Sequence, residues 1–268
     1  MRAIRCVAWS VFRESVRDRV PYNLVAFAVL LIAASYLIGQ LTAGQDVKII
    51  KDLGLAATSI FGLFIAVFIG VGLVSKEVER RSIYSLLAKP VRRHEFIAGK
   101  FAGLVLTLVA NLTVMVIAYY VVLYFMDLNS TPSARSTWPA PATDPNLLKA
   151  FYLIALQLSL VTAIALFFSS FSSPFLSAAL TLALYVAGQF GADLRSFTLV
   201  IDTPATRVLM SALYYVLPNF AMFDVKNEVV HAVPVTAAYV GLVTGYAVLY
   251  IGAVVLATMG IFSRRDFK

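Results

Sequence analysis

Long apolar runs separated by short polar stretches set the pattern of this chain. Uncharged runs cover about 22–41, 53–75 and 101–126, each near the 20 or so residues that carry a helix across a bilayer core. A fourth run, 147–192, holds a single charge near its start. As one helix it would measure about 69 Å at 1.5 Å per residue, twice the hydrocarbon thickness, so it has to fold back. The serine-rich run ending in proline at 169–174 supplies the turn. Spans are therefore predicted to end near Ser169 and to restart at 175–192, and a last one covers about 235–262. The predicted fold class is all-α: one polytopic membrane domain over 1–268 with six transmembrane helices.

The polar stretches carry patterns of their own. Within 1–20, apolar Ile4, Val7, Ala8, Val11, Phe12 and Val16 share one helical face, with Arg2, Arg5, Arg13, Arg17 and Asp18 on the others. That pattern predicts an amphipathic helix lying in the membrane surface, with Trp9 among the headgroups and its arginines drawn to anionic lipid. The segment 127–146, rich in Pro, Ser and Thr, reads as an external loop. The segment 193–233 mixes charges with an apolar run. Thr203 and Pro204 look like a helix start and Pro218 a stop, too close together to cross, so 205–217 is expected to be re-entrant and 219–231 to return to the surface.

The most informative stretch is 76–100, KEVERRSIYSLLAKPVRRHEFIAGK. Its charges cannot lie in hydrocarbon, where each Lys, Arg or Asp costs about 2.5–3.5 kcal/mol on insertion scales. Ile83, Leu86 and Leu87 follow the i, i+3, i+4 rule, Arg80, Arg81 and Lys89 flank them, and Pro90 ends the turn. A short helix with an apolar ridge and a basic rim, held between two spans, is suited to dock into a groove on another protein.

Composition fits this picture: of 268 residues, 60% are hydrophobic and 13% charged. The net charge of +8 raises nucleic acid as a partner, so the placement of the charges decides. Fifteen of the 22 basic residues fall before position 21, within 76–100 or after 263. The others share their segments with eight acids. This is the asymmetry of membrane topology, with both termini and the 76–100 loop cytoplasmic, and it argues against nucleic acid. The first twenty residues lack the continuous apolar core of a cleavable signal peptide.

Chemistry is conspicuous by what the sequence lacks. One cysteine, Cys6, excludes a disulfide framework or a cysteine-rich metal site. No HExxH, GxSxG or GxxxxGK[ST] motif occurs, so metalloprotease, hydrolase and nucleotide-binding readings have no parts to work with. His94 and His231 are the two neutral-pH bases, both in charged loops. No catalytic residue, metal or cofactor is therefore assigned to this chain. The spans hold no charge for an ion-coupled carrier, and Asn111, Thr113, Gln157, Ser159 and Thr162 are expected to act as polar glue between helices. The spacings Gly99–Gly103 and Gly241–Gly245 permit close helix packing.

Glu77, Glu79, Leu86, Leu87, Lys89, Pro90, Arg93, Phe96, Gly99 and Lys100 together resemble the signature of type 2 ABC transporter permeases. Arg81 and Ser82 stand where that family commonly has Gly-Thr. The stretch 214–231 resembles a bacterial subset associated with multicopper-enzyme maturation. The resemblance implies a permease in the bacterial cytoplasmic membrane, paired with a second copy or a paralogue, and bound to two ATPase subunits that hold ATP and Mg. It also implies export, with Ile83, Tyr84, Leu86 and Leu87 entering the ATPase groove. Arg80, Arg81, Lys89, Arg92 and Arg93 would form the rim, and Glu77 and Glu79 would meet the N-terminal helix or the basic loop. A membrane anchor or assembly scaffold using the same loop is the competing expectation.

Overall fold

The computed structural model describes residues 2–16, 18–40, 46–79, 93–136, 138, 140–190 and 217–264, with backbone alone for residues 2, 73–79, 93, 133, 134, 263 and 264. Along the chain run α1 (Arg2–Ser15), α2 (Arg19–Gln40), α3 (Asp46–Glu79), α4 (Arg93–Asn129), the short α5 (Pro132–Arg135), α6 (Leu147–Ser169) and α7 (Pro174–Gln189). A 3-10 turn (Phe220–Phe223), α8 (Lys226–Val230) and α9 (Ala237–Arg264) complete it, and no strand occurs among the described residues.

Five of these helices are long and apolar enough to cross a membrane: α2, residues 46–72 of α3, residues 94–129 of α4, α6, and residues 237–262 of α9. The first four and the last expected spans thus fall on helices. The expected span 175–192 falls on α7, whose 16 residues reach about 24 Å, short of the ~30 Å core. The turn before it is where the serines and proline put it. Ser173 is extended at φ −67° and ψ 158°, and Pro174, which has no N–H to lose, opens α7. The Ser172 and Ser177 hydroxyls meet across the turn at 2.7 Å.

α3 and α6 form the centre. In each, 72% of the apolar window is buried by the rest of the chain, against 28% for α2 and 11% for α9. α3 contacts α2, α4, α6 and α7, and glycines set how closely. A Cβ on Gly62 would stand 2.5 Å from the Leu158 side chain, and one on Gly70 would stand 2.5 Å from Ala165 Cβ; at Gly54 it would sink into the Tyr119 ring. Tyr119 is fully buried and packs edge-on against Phe151 at 5.1 Å between centroids. Helices in lipid gain little from hydrophobic transfer, so this close approach, with its dispersion contacts, is what holds them together.

Of the five polar groups expected to act as glue between helices, four bond within their own helix instead. Thr113, Ser159 and Thr162 each donate to the carbonyl four residues back on their own helix, as does the Asn111 amide to Thr107. The local carbonyl is always within reach, so it wins over a partner on another helix. At the α3-start end of the bundle, lysines serve instead. Lys51 Nζ donates to Pro141 O at 2.8 Å, tying the 130–146 loop to α3, and Lys149 Nζ donates to Val235 O at 2.9 Å, tying the start of α9 to α6.

Residues 217–236 correct a second expectation. The stretch 219–231 is surface on one side only: Met222, Asp224, Asn227, Glu228 and His231 are exposed, whereas Pro218, Phe220, Phe223, Val225, Val229 and Val230 are buried against α3, α6 and α7. The Asn219 N–H donates to Tyr246 Oη at 2.9 Å, and Tyr246 lies about 14 Å along α9 from Ala237 at 1.5 Å per residue. Gly188 makes room for this, because any Cβ there would run into the Pro218 carbonyl and the Phe220 ring. α8 then ends in a Schellman turn, with Val233 N–H donating to Glu228 O at 2.8 Å and Ala232 taking φ 60°. The re-entrant helix expected at 205–217 lies outside the described residues apart from Leu217.

Gly70→Leu is expected to destabilise the protein by about 1–3 kcal/mol through overpacking against Ala165. Gly72→Leu, where nothing lies within 4 Å of a Cβ, should be near neutral. Thermal unfolding of the two variants in detergent, beside wild type, makes the comparison.

Candidate coupling site

The two longest described helices, α3 with 34 residues and α4 with 37, flank the 80–92 stretch. At about 51 and 56 Å they overrun a ~30 Å core by some 20 Å. Glu77 and Glu79 occupy the last turn of α3, and Arg93 opens α4. Arg80, Arg81, Ser82, Ile83, Tyr84, Leu86, Leu87, Lys89, Pro90 and Arg92 lie outside the described residues.

What the structure does place is the base on which that stretch stands. α1 lies along the first part of α4, and Gly99 and Gly103 are its seat. A Cβ on Gly99 would come within 2.7 Å of Val7 Cβ and 3.0 Å of the Ile4 carbonyl oxygen. On Gly103 it would come within 2.6 Å of the Ala8 carbonyl oxygen and 2.7 Å of Val11 Cβ. The sequence pattern had given this apolar face to lipid. It is instead taken up by α4, because two glycines one turn apart let backbone meet backbone.

The outward face of α1 keeps Trp9, which is 58% exposed, together with Cys6, Arg13 and Glu14. These residues, with Ser10, line an open concavity of about 490 Å³. One turn from the seat, Lys100 is buried with its ammonium 5.1 Å from the Phe96 ring centroid, a cation–π distance. Phe96 stacks at 6.2 Å on Phe262 of α9. The start of α4 therefore joins α1 on one side to the last turn of α9 on the other.

The other glycine pair behaves differently. Among the described residues nothing lies within 4 Å of a Cβ on Gly241 or Gly245, so neither packs against a described helix. α9 sits at the edge of the bundle and turns that face outward. His94 is exposed; the exposed His231 ring engages Asn227 O at 2.8 Å, on its own helix. Among the described residues no group of three or more His, Cys, Asp or Glu is placed to hold a metal.

Sequence reasoning missed a polar cluster away from this base. Lys226 Nζ stands 3.4 Å from Asp224 Oδ2 and 3.5 Å from Ser59 Oγ, with Tyr185 and Gln189 of α7 close by. Its members come from α3, α7 and the 217–231 segment. The one available signal was two charges, Asp224 and Lys226, inside an otherwise apolar stretch.

A bundle with five helices long and apolar enough to cross a membrane, two of them overlong and flanking a basic stretch, is the architecture of a multi-pass membrane protein. The family model described as ABC-2 family transporter protein matches residues 5–267, and the chain belongs to that family. The match is to the family as a whole and distinguishes no subset within it. No curated protein matches the chain.

Gly103→Leu is expected to unseat α1. Trypsin cleavage at Arg5 or Arg13 should then accelerate roughly tenfold, since protection scales with the free energy of local opening and ~1.4 kcal/mol gives that factor. Gly245→Leu should leave the cleavage rate unchanged.

Proposed function

We propose that this chain is the permease subunit of an ATP-driven exporter in a bacterial cytoplasmic membrane, with both termini and the 80–92 stretch on the cytoplasmic side. Family membership over nearly the whole chain supports the transporter reading. The observation that carries the coupling assignment is that α3 and α4, both longer than a membrane core, flank the basic stretch. The charges of that stretch keep it out of hydrocarbon, where a soluble partner can reach it.

In this reading Ile83, Tyr84, Leu86 and Leu87 enter a groove on a cytoplasmic ATPase. Arg80, Arg81, Lys89, Arg92 and Arg93 form the rim, where charge steers encounter and register more than it adds affinity. Two ATPase copies bind ATP and Mg, and a second permease copy or paralogue completes the transport unit. Closing of the ATPases on nucleotide pushes the 80–92 helix. Because α4 carries α1 on its glycine seat and touches α9 through Phe96, a displacement there reaches all three helices at once. Glu77 and Glu79, in the last turn of α3, engage the basic residues of α1 or of the loop in this reading. A static anchor would need no helices longer than the membrane, so transport is the stronger reading.

Leu86→Asp with Leu87→Asp is expected to reduce recovery of the ATPase with the purified membrane complex by at least about tenfold, the effect of burying charge at an apolar anchor. Recovery at the wild-type level would refute the docking assignment.

A further inference from the structure

The apolar side of α1 is taken up by Gly99 and Gly103 of α4, so the side it leaves open is the polar one. Cys6, Ser10, Arg13 and Glu14 are exposed there, and Trp9 is 58% exposed among them. Three and four residues apart, these positions share one helical face. They line the open concavity of about 490 Å³, a volume within the range of about 300–1,000 Å³ common to small-molecule sites. The Trp9 ring is braced against Phe12, with centroids 5.5 Å apart. Among the described residues Arg13 has neither an ion pair nor a hydrogen bond. An open cation therefore stands beside an open, steadied aromatic ring.

The place of α1 in the fold decides what comes up against this face. α4 carries no charge between Lys100 and Asp127, so Gly99 and Gly103 straddle the point where its charged start gives way to the apolar run. Phe262, the last residue of the apolar window of α9, stacks on Phe96 one turn before Lys100. The window of α2 opens at Arg19, four residues past the end of α1 at Ser15. Three candidate spans thus reach their limit beside α1. The neighbours at such a limit are lipid head groups, and Trp is the side chain that favours this layer. Charge then selects the head. Of the exposed charges on α1, Arg5 and Arg13 outnumber Glu14. A guanidinium forks onto two phosphate oxygens, and the Trp9 indole N–H and the Ser10 hydroxyl are left to donate to the other oxygens of the head.

We propose that the outward face of α1, through Trp9, Ser10 and Arg13, forms a binding site for the phosphate head of an anionic phospholipid. It is the polar face of the helix, and not its apolar one, that meets lipid. The site does not depend on the transport reading.

The single cysteine of the chain gives the readout, because Cys6 is exposed and lines the same concavity. The full chain is purified in detergent and stripped of lipid. Alkylation of Cys6 by the uncharged reagent N-ethylmaleimide is then timed with rising dioleoyl phosphatidylglycerol, whose head is anionic, or dioleoyl phosphatidylcholine, whose head is zwitterionic. Without lipid the thiol should react freely; a slow reaction there means that another part of the protein covers the face, and the site is lost. Phosphatidylglycerol is expected to protect the thiol saturably, at a concentration roughly fivefold or more below that needed of phosphatidylcholine. Equal protection by the two lipids, or none by either, would overturn the proposal.

Arg13→Gln should raise the phosphatidylglycerol concentration for half-protection about fivefold, the contribution of one cation near an anionic surface, and Glu14→Gln should lower it. Both side chains are exposed, so neither change threatens the fold. An Arg13→Gln chain protected as well as wild type removes the phosphate contact and the site with it. Inorganic phosphate at the same concentrations should leave the alkylation rate unchanged; protection by it would show a free-anion site and exclude the lipid.

Discussion

Gly54, Gly62 and Gly70 let α3 come closer to α4 and α6 than side chains would allow, and the rest of the bundle is arranged around that approach. Inside a bilayer the solvent is as apolar as the side chains, so burying leucine between helices gains little over leaving it in lipid. What distinguishes one arrangement from another is dispersion at short range. A glycine facing the Tyr119 ring or the Ala165 methyl maximises it. The same device seats α1 on Gly99 and Gly103 and admits the Pro218 carbonyl beside Gly188. In each case the missing Cβ is replaced by an atom from another element.

Polar groups face the complementary constraint that a partner is needed where water is absent, and among the described residues the Tyr119 hydroxyl and Gln157 Nε2 are among the exceptions within the helices. Hydroxyls within the helices bond back to their own carbonyls, which frees the helices from needing a particular polar neighbour. The lysines are used differently. Lys51 and Lys149 each reach a loop carbonyl and fasten connecting segments to the bundle, while Lys226 reaches inward. The end of the bundle where α3 starts is therefore tied by charge-assisted bonds.

Features set by length and composition were legible in the sequence. The apolar runs gave α2, α3, α4, α6 and α9, the run at 169–174 gave the turn into α7, and the arginine pattern gave α1. Features set by pairing between distant residues were not. Nothing local to Gly54 announces Tyr119, and nothing in 214–231 announces Gly188, Ser59 or Tyr246 as partners. The segment 205–217 was expected to be re-entrant because it is too short to cross, and 219–231 to return from it to the surface. However, α7 stops early and leaves a space that the buried side of 219–231 fills. Of the candidate site, the flanking turns at Glu79 and Arg93 and the seat at Gly99 and Gly103 are placed, whereas the ridge Ile83, Leu86 and Leu87 lies outside the described residues.

The two regions are joined by one element. Ser59 in the polar cluster and Glu79 at the edge of the basic stretch both belong to α3, twenty residues or about 30 Å apart along an unbroken helix. A hydrogen-bonded helix does not shorten under load, so a push near Glu79 arrives at Ser59 as a tilt or a shift. The glycine contacts between these points resist small sliding, because their neighbours sit at van der Waals distance and packed interfaces tend to have discrete arrangements rather than continuous ones. At Ser59 the same helix meets the 217–231 segment, through a 3.5 Å contact from the Lys226 ammonium. A displacement of α3 is therefore passed to that segment as well as to the helices packed on its glycines.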